Sequence, residues 1–287
     1  MRALRYALIG AVLASAALAG VAAPRPALEA DGVRVVTIAP GAFRYRLSGD
    51  FERDGRTVEA PLRDERFAEP FAIMAEPVSQ RDYARCVADG GCARLKAVDP
   101  GAANLPVVGV NWQDATAYAA WLSRRTGEDW RLPSDAEWAY AAGERFHDDA
   151  VAAGAGDDYA KRWLAKFDQE ASRAAGPKAP QPFGAFGVNE RGVGDLSGNV
   201  WDWTDSCYER RALDDKGAPK ETLTRNCRVR IVEGGHRAYI SDFIRDSRTG
   251  GCSVGLPPTN LGIRLVRHRD NPLSIALRAV RDAFARL

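Results

Sequence analysis

The chain marks a few helices sharply and breaks up almost everything around them. Asn111 precedes a segment, 112–126, in which Ala115, Tyr118, Ala119 and Leu122 recur at i, i+3, i+4 and i+7, and Gly127 follows as a left-handed stop. Ser134 and Glu137, just after Pro133, form a Ser-x-x-Glu capping box that opens another helix reaching about residue 143. Ser79 caps a shorter helix over 80–88, with Asp82 in its first turn and Gly90 beyond its end. A charged stretch, 157–170, is expected to be helical. The tail 269–287 is expected to dock a helix through Ile275, Leu277, Val280, Phe284 and Leu287. Between these lie strand candidates at 33–38, 228–233 and 261–266, and a Pro/Gly-rich span, 176–198, that reads as long ordered loops. With 27 Gly, 16 Pro and seven Trp, the chain is too loop-rich for a helical bundle, coiled coil or simple repeat.

At 287 residues with 46% hydrophobic side chains, the chain can bury a large core, which excludes intrinsic disorder. A net charge of +2 gives no field of the kind that gathers nucleic acid. Residues 1–19 read as a secretory signal, with Arg2 and Arg5 before a short apolar run and an Ala17-Leu18-Ala19 cleavage site; the alternative is a membrane anchor, for which the run is short. Cleavage removes two of 40 basic residues and leaves a neutral chain against 38 acidic ones. The layout expected is signal 1–19, linker 20–32, folded domain 33–268 and C-terminal helix 269–287, in a periplasmic or secreted protein free of the membrane once cleaved.

Export makes disulfides available to Cys86, Cys92, Cys207, Cys227 and Cys252. Five is odd, so at least one cysteine is unpaired within the chain. Cys86 and Cys92 flank a loop with two glycines and are the pair expected to bridge. For Cys207, Cys227 and Cys252 the expectation is one disulfide plus one buried thiol. With no CxxC motif and with His147, His236 and His268 far apart, a structural zinc is not expected.

Three ordered segments carry a resemblance. They are Glu76-Pro77-Val78-Ser79 with Tyr83, the run from Leu105 through Asn111-Trp112 to Arg131-Leu132-Pro133-Ser134-Asp135-Ala136-Glu137-Trp138, and Gly198-Asn199-Val200-Trp201-Asp202-Trp203. Asn260 to Val266 closes the pattern. Together they resemble the formylglycine-generating enzyme family, the sulfatase-modifying-factor domain. The resemblance implies an irregular, loop-rich α+β single domain related to C-type lectins. It also implies oxidation of a target cysteine by O2 at a copper ion held by two cysteines five residues apart, soft ligands suited to Cu(I). In the family that pair follows a Gly-Gly motif, here Gly234-Gly235. Counting forward places it on Tyr239 and Ile244; counting back from Asn260 places it on His236 and Ser241. Neither register holds a cysteine, so copper and formylglycine synthesis are not expected. The histidine-iron branch that builds ergothioneine is not expected either.

The resemblance further implies a structural calcium at Asn199, Val200 and Asp202, with a tight turn as the alternative. In place of the catalytic region stands a polar cluster whose catalytic candidates are His236, Arg237, Tyr239, Arg245 and Arg248. Such a cluster binds anionic groups through arginine forks, does acid and base work through His236, or serves as an internal ion-pair network. Two functions follow. One is an exported accessory, maturation or binding protein with a protein or peptide partner, as in a family class associated with copper nitrite reductase. The other is a periplasmic oxidoreductase with cysteine-independent chemistry, as in relatives that oxidise a siderophore precursor.

Overall fold

The computed structural model describes residues 27–28, 32–148, 161, 164–165, 168, 179–246 and 260–268. The three helices fall where their caps predict. α1 (Gln80–Ala88) begins with Ser79 Oγ accepting the Asp82 N–H. α2 (Trp112–Thr126) opens on a reciprocal box between Asn111 and Asp114 and ends on Gly127 at φ 72°. α3 (Asp135–Ala142) carries the Ser134/Glu137 box. Each box satisfies orphan N–H groups of a first turn and is worth about 1 kcal/mol. Within 157–170, the described positions Lys161, Leu164, Ala165 and Asp168 are helical. The expected signal and C-terminal helix lie outside the described residues.

Strands exceed the sequence expectation. One sheet runs, in order, β1 (Ala27–Leu28), β2 (Arg34–Ile38), β7 (Phe71–Met74), β13 (Val266–His268) and β8 (Asp129–Arg131), all antiparallel. β1 falls inside the stretch expected to be linker, where Ala27 and Leu28 pair with Val35 and Arg34. A second sheet runs β11 (Ala238–Ser241), β10 (Pro219–Glu233), β9 (Trp201–Leu213), β4 (Asp50–Arg53) and β5 (Arg56–Val58), with β12 (Leu261–Gly262) added in parallel to β9. β3 (Gly41–Arg46) and β6 (Leu62–Phe67) form a separate ribbon. The expected strand 228–233 is only the buried end of the 15-residue β10, whose outer part is exposed and polar and shows no apolar alternation. The expected strand 261–266 is interrupted: 263–265 leave the ladder, and β12 and β13 join different sheets.

That interruption places the most buried cation of the fold. Arg264, fully buried, donates through Nε to Asp202 Oδ2 (3.0 Å) and through its other nitrogens to the carbonyls of Met74, Ala75 and Gly194. Every partner is an acceptor held by backbone or by Trp138, whose Nε1 also donates to Asp202 (2.9 Å). Of the loop expected over 176–198 from its Pro and Gly content, the described part, 179–198, is ordered by side chains in place of a ladder. Asp195 accepts N–H bonds from Gly184 and Phe186, and Asn189 ties the carbonyls of Ala141 and Ala142 to the N–H groups of Arg191 and Val193. Apolar residues of α1, α2 and the central strands, among them Tyr83, Tyr118, Trp130 and Trp203, form the largest core cluster.

Candidate functional site

The candidates His236 and Arg237 lie in the turn from β10 to β11. Gly234 is required there by packing: a Cβ on it would lie 2.6 Å from the Trp201 ring. Trp201 in turn donates Nε1–H to the His236 carbonyl (3.0 Å), with the His236 ring edge-on 5.6 Å away. His236, 1% exposed, places Nδ1 3.0 Å from the Arg237 carbonyl.

Arg237 points into the molecule and is 2% exposed. Its Nε donates to Glu233 Oε1 (2.8 Å), Nη1 to the Arg46 carbonyl (3.0 Å), and Nη2 lies 3.2 Å from Asp135 Oδ1. The guanidinium sits between the rings of Tyr45 and Phe146 at 5.9 and 5.4 Å. Two buried carboxyl groups therefore share one guanidinium. Burial pushes Glu233 well above the usual carboxyl range; Arg237 opposes this, while the charge of Asp135 adds to it. Burial thus favours the protonated form of Glu233, whose Oε2 is buried without a hydrogen-bond partner. Burial, reinforced by Asp135, also holds the Tyr45 phenol neutral.

Asp135 is the link from this network to the outside. It lines a cavity of about 260 Å³ with Tyr45, Ser206, Cys207, Glu209 and Arg225. It was missed in the sequence because an acidic residue at the first position of a helix already has a sufficient role at the dipole.

The other candidates do not converge on this cavity. The Tyr239 hydroxyl accepts the Gly49 N–H (2.7 Å), and its ring meets Tyr208 edge-on at 5.8 Å. Arg245 forms a two-pronged pair with Asp114 (2.6 and 2.8 Å) at the start of α2. Arg248 lies outside the described residues. In its described part the polar segment forms separate pairings, Arg237 with Glu233 and Asp135, Tyr239 with Gly49, and Arg245 with Asp114.

Asn199 and Asp202 are also apart in what they bind. Asn199 exchanges two hydrogen bonds with the Gln181 backbone, Oδ1 accepting N–H and Nδ2 donating to the carbonyl, both 2.8 Å. Asp202 Oδ2 accepts from Arg264 and Trp138. Calcium requires six to eight oxygens. Asn199 Oδ1 and Asp202 Oδ2 are met by N–H donors, and Asp202 Oδ1 is the buried side-chain oxygen of the pair left without a partner; with the carboxylate neutralised by Arg264, these two side chains do not build that shell.

Four of the five cysteines form two disulfides, Cys86–Cys92 and Cys207–Cys227. One cysteine, Cys252, remains, and it lies outside the described residues. A copper site made of two thiolates of this chain has too few thiols in this state.

The fold and site define an α+β domain built on the sulfatase-modifying-factor plan, with buried ion pairs beside Gly234-Gly235. The family model described as "Sulfatase-modifying factor enzyme 1-like domain" matches residues 20–269, and the chain belongs to that family. Among curated relatives, the formylglycine-generating enzyme of Streptomyces coelicolor is 29% identical, over 59% of this chain and 55% of its own length. The inactive C-alpha-formylglycine-generating enzyme 2 of Mus musculus is 31% identical, over 55% of this chain and 48% of its own. The chain thus spans about half the length of these relatives. Among solved structures, PvdO from Pseudomonas aeruginosa superposes with a TM-score of 0.53 at 26% identity, covering 83% of this chain and 95% of that one.

Proposed function

We propose that this chain is an exported, accessory member of the family that makes no formylglycine and binds a protein or peptide partner at the cavity between α3 and the β9–β10 arm. One observation carries the reading. The turn after Gly234-Gly235 is filled by the buried Glu233, Arg237 and Asp135 network, while four of five cysteines are used in disulfides. An inactive relative at 31% identity supports it. The apolar start of the sequence and the two disulfides suit an oxidising compartment outside the cytosol. The cavity wall supports a polar partner, since it carries Asp135, Asp205 and Glu209 beside Arg211 and Arg225.

An oxidoreductase with cysteine-independent chemistry needs its acid and base groups in contact with substrate. Burial of His236 and Arg237 to about the level of core residues counts against that use of them.

The test is O2 uptake and aldehyde formation on a cysteine-containing sulfatase peptide, with and without copper, alongside capture of partners by the wild type and by Arg225→Glu. The expected result is no turnover and partner capture that the charge reversal weakens. Peptide oxidation, or capture indifferent to Arg225, overturns the proposal.

A further inference from the structure

The two disulfides differ in setting. Cys86 is fully buried in the main core cluster beside Tyr83, with Cys92 packed against the same cluster. Cys207–Cys227 instead ties β9 to β10 on the projecting arm, both cysteines half-buried, with Thr222, Leu223, Thr224, Arg225 and Asn226 exposed alongside. Cys207 borders the cavity described above.

A cation is fixed beside one of its sulfurs. Arg230 Nη1 lies 3.4 Å from Cys207 Sγ, and the same nitrogen donates to the Asp205 carbonyl (2.7 Å) and carboxylate (3.3 Å). The guanidinium stacks 3.9 Å over the Trp112 ring, which prevents it from swinging away. A neutral disulfide sulfur is a weak acceptor and gains little from this neighbour. A thiolate gains a great deal, because a nearby guanidinium lowers the pKa of a thiol and makes it the better leaving group.

We propose that Cys207–Cys227 is a thiol–disulfide exchange site that reacts with a cysteine of a protein or peptide partner. The partner thiol, having lost its proton to solvent, attacks Cys227 Sγ. A partner–Cys227 S–S bond forms, the Cys207–Cys227 bond breaks, and its electron pair leaves on Cys207 Sγ as a thiolate beside Arg230. A second partner thiolate attacking the partner's sulfur then releases Cys227. The partner has lost two electrons, and the chain holds the dithiol. The inference adds a chemistry to the binding reading and is tested apart from it, without any partner.

The probe is reduced glutathione, added to the purified full chain, quenched with N-ethylmaleimide and mapped by mass spectrometry. The expected product carries glutathione on Cys227 and maleimide on Cys207, with Cys86–Cys92 intact. Arg230→Met slows adduct formation by about threefold or more, following the leaving-group dependence of exchange, and Arg230→Lys restores most of the rate. An adduct on Cys207, opening of both disulfides only on unfolding, or a rate unchanged in Arg230→Met overturns it. Because the site mapping uses the wild type, a poorly folded variant does not block the test.

Discussion

Glu233→Gln separates a neutral buried acid from a buried carboxylate. In the structure Glu233 Oε1 accepts from Arg237 Nε, and Oε2 is buried without a hydrogen-bond partner. The amide oxygen keeps the bond from Arg237, so the substitution costs under about 1 kcal/mol near pH 4.5, where the unfolded Glu233 is also largely protonated, and becomes stabilising as pH rises. Were Glu233 ionised, the same change would delete one charge of a buried pair and cost about 3–5 kcal/mol. The pH dependence has a matching sign. Glu233 is raised above its ordinary 4.5, so its stabilisation is complete below that value. Between that value and the folded pKa the native state holds one more proton than the unfolded chain. Stability therefore falls as pH rises, by up to about 1.4 kcal/mol per pH unit, and levels off once Glu233 ionises. The assay is urea unfolding of both proteins from pH 5 to 9, plotted as the difference between them, in which other groups cancel. The expected difference falls with pH, because only the wild type loses stability through this group. A parallel pair of curves, or a 3 kcal/mol loss at pH 7, refutes the neutral-acid assignment.

Arg264→Met removes the buried guanidinium and leaves the charge of Asp202 uncompensated, with an expected loss of about 3–5 kcal/mol in urea unfolding. A loss below about 1 kcal/mol would mean water replaces the side chain. Gly234→Ala drives a methyl to 2.6 Å from the Trp201 ring. Its expected cost is about 1–3 kcal/mol, with a change in tryptophan fluorescence; an unchanged spectrum and stability would show that the turn has room.

What the sequence disclosed follows from the range of the interactions involved. Helix caps are local: Ser79, Asn111, Gly127 and Ser134 each act within about four residues, and each sits where its spacing indicates. The Cys86–Cys92 bridge is equally local. The strands were underread because the outer part of β10 meets solvent and carries no apolar alternation, while the 263–265 break exists to bring Arg264 to Asp202, 62 residues away. The polar run from Glu233 to Arg248 showed its residue types but not their directions. Arg237 turns inward to Asp135, 102 residues distant, and Arg245 turns to Asp114, 131 distant. Linear proximity made one cluster of residues that the fold sends to different places.

The Asn199–Asp202 turn shows how the same spacing can serve two ends. A metal shell and a hydrogen-bond clamp both want an amide oxygen and a carboxylate close in sequence, and they differ in what meets those oxygens. Here N–H donors meet Asn199 Oδ1, from the Gln181 backbone, and Asp202 Oδ2, from Arg264 and Trp138, while Asp202 Oδ1 is buried without a partner. A cation brought to Asp202 would be repelled by the guanidinium 3.0 Å from it. A ligand that binds only the folded state raises apparent stability by about 2.7 kcal/mol at a hundredfold excess over Kd. Calcium at millimolar excess is therefore expected to leave the melting temperature unchanged, and chelation likewise. Asn199→Ala is expected to lower it to the same extent with or without calcium, because what it loses is the clamp on Gln181. A calcium-dependent rise in the wild type that disappears in Asn199→Ala would show instead that the ion displaces these donors.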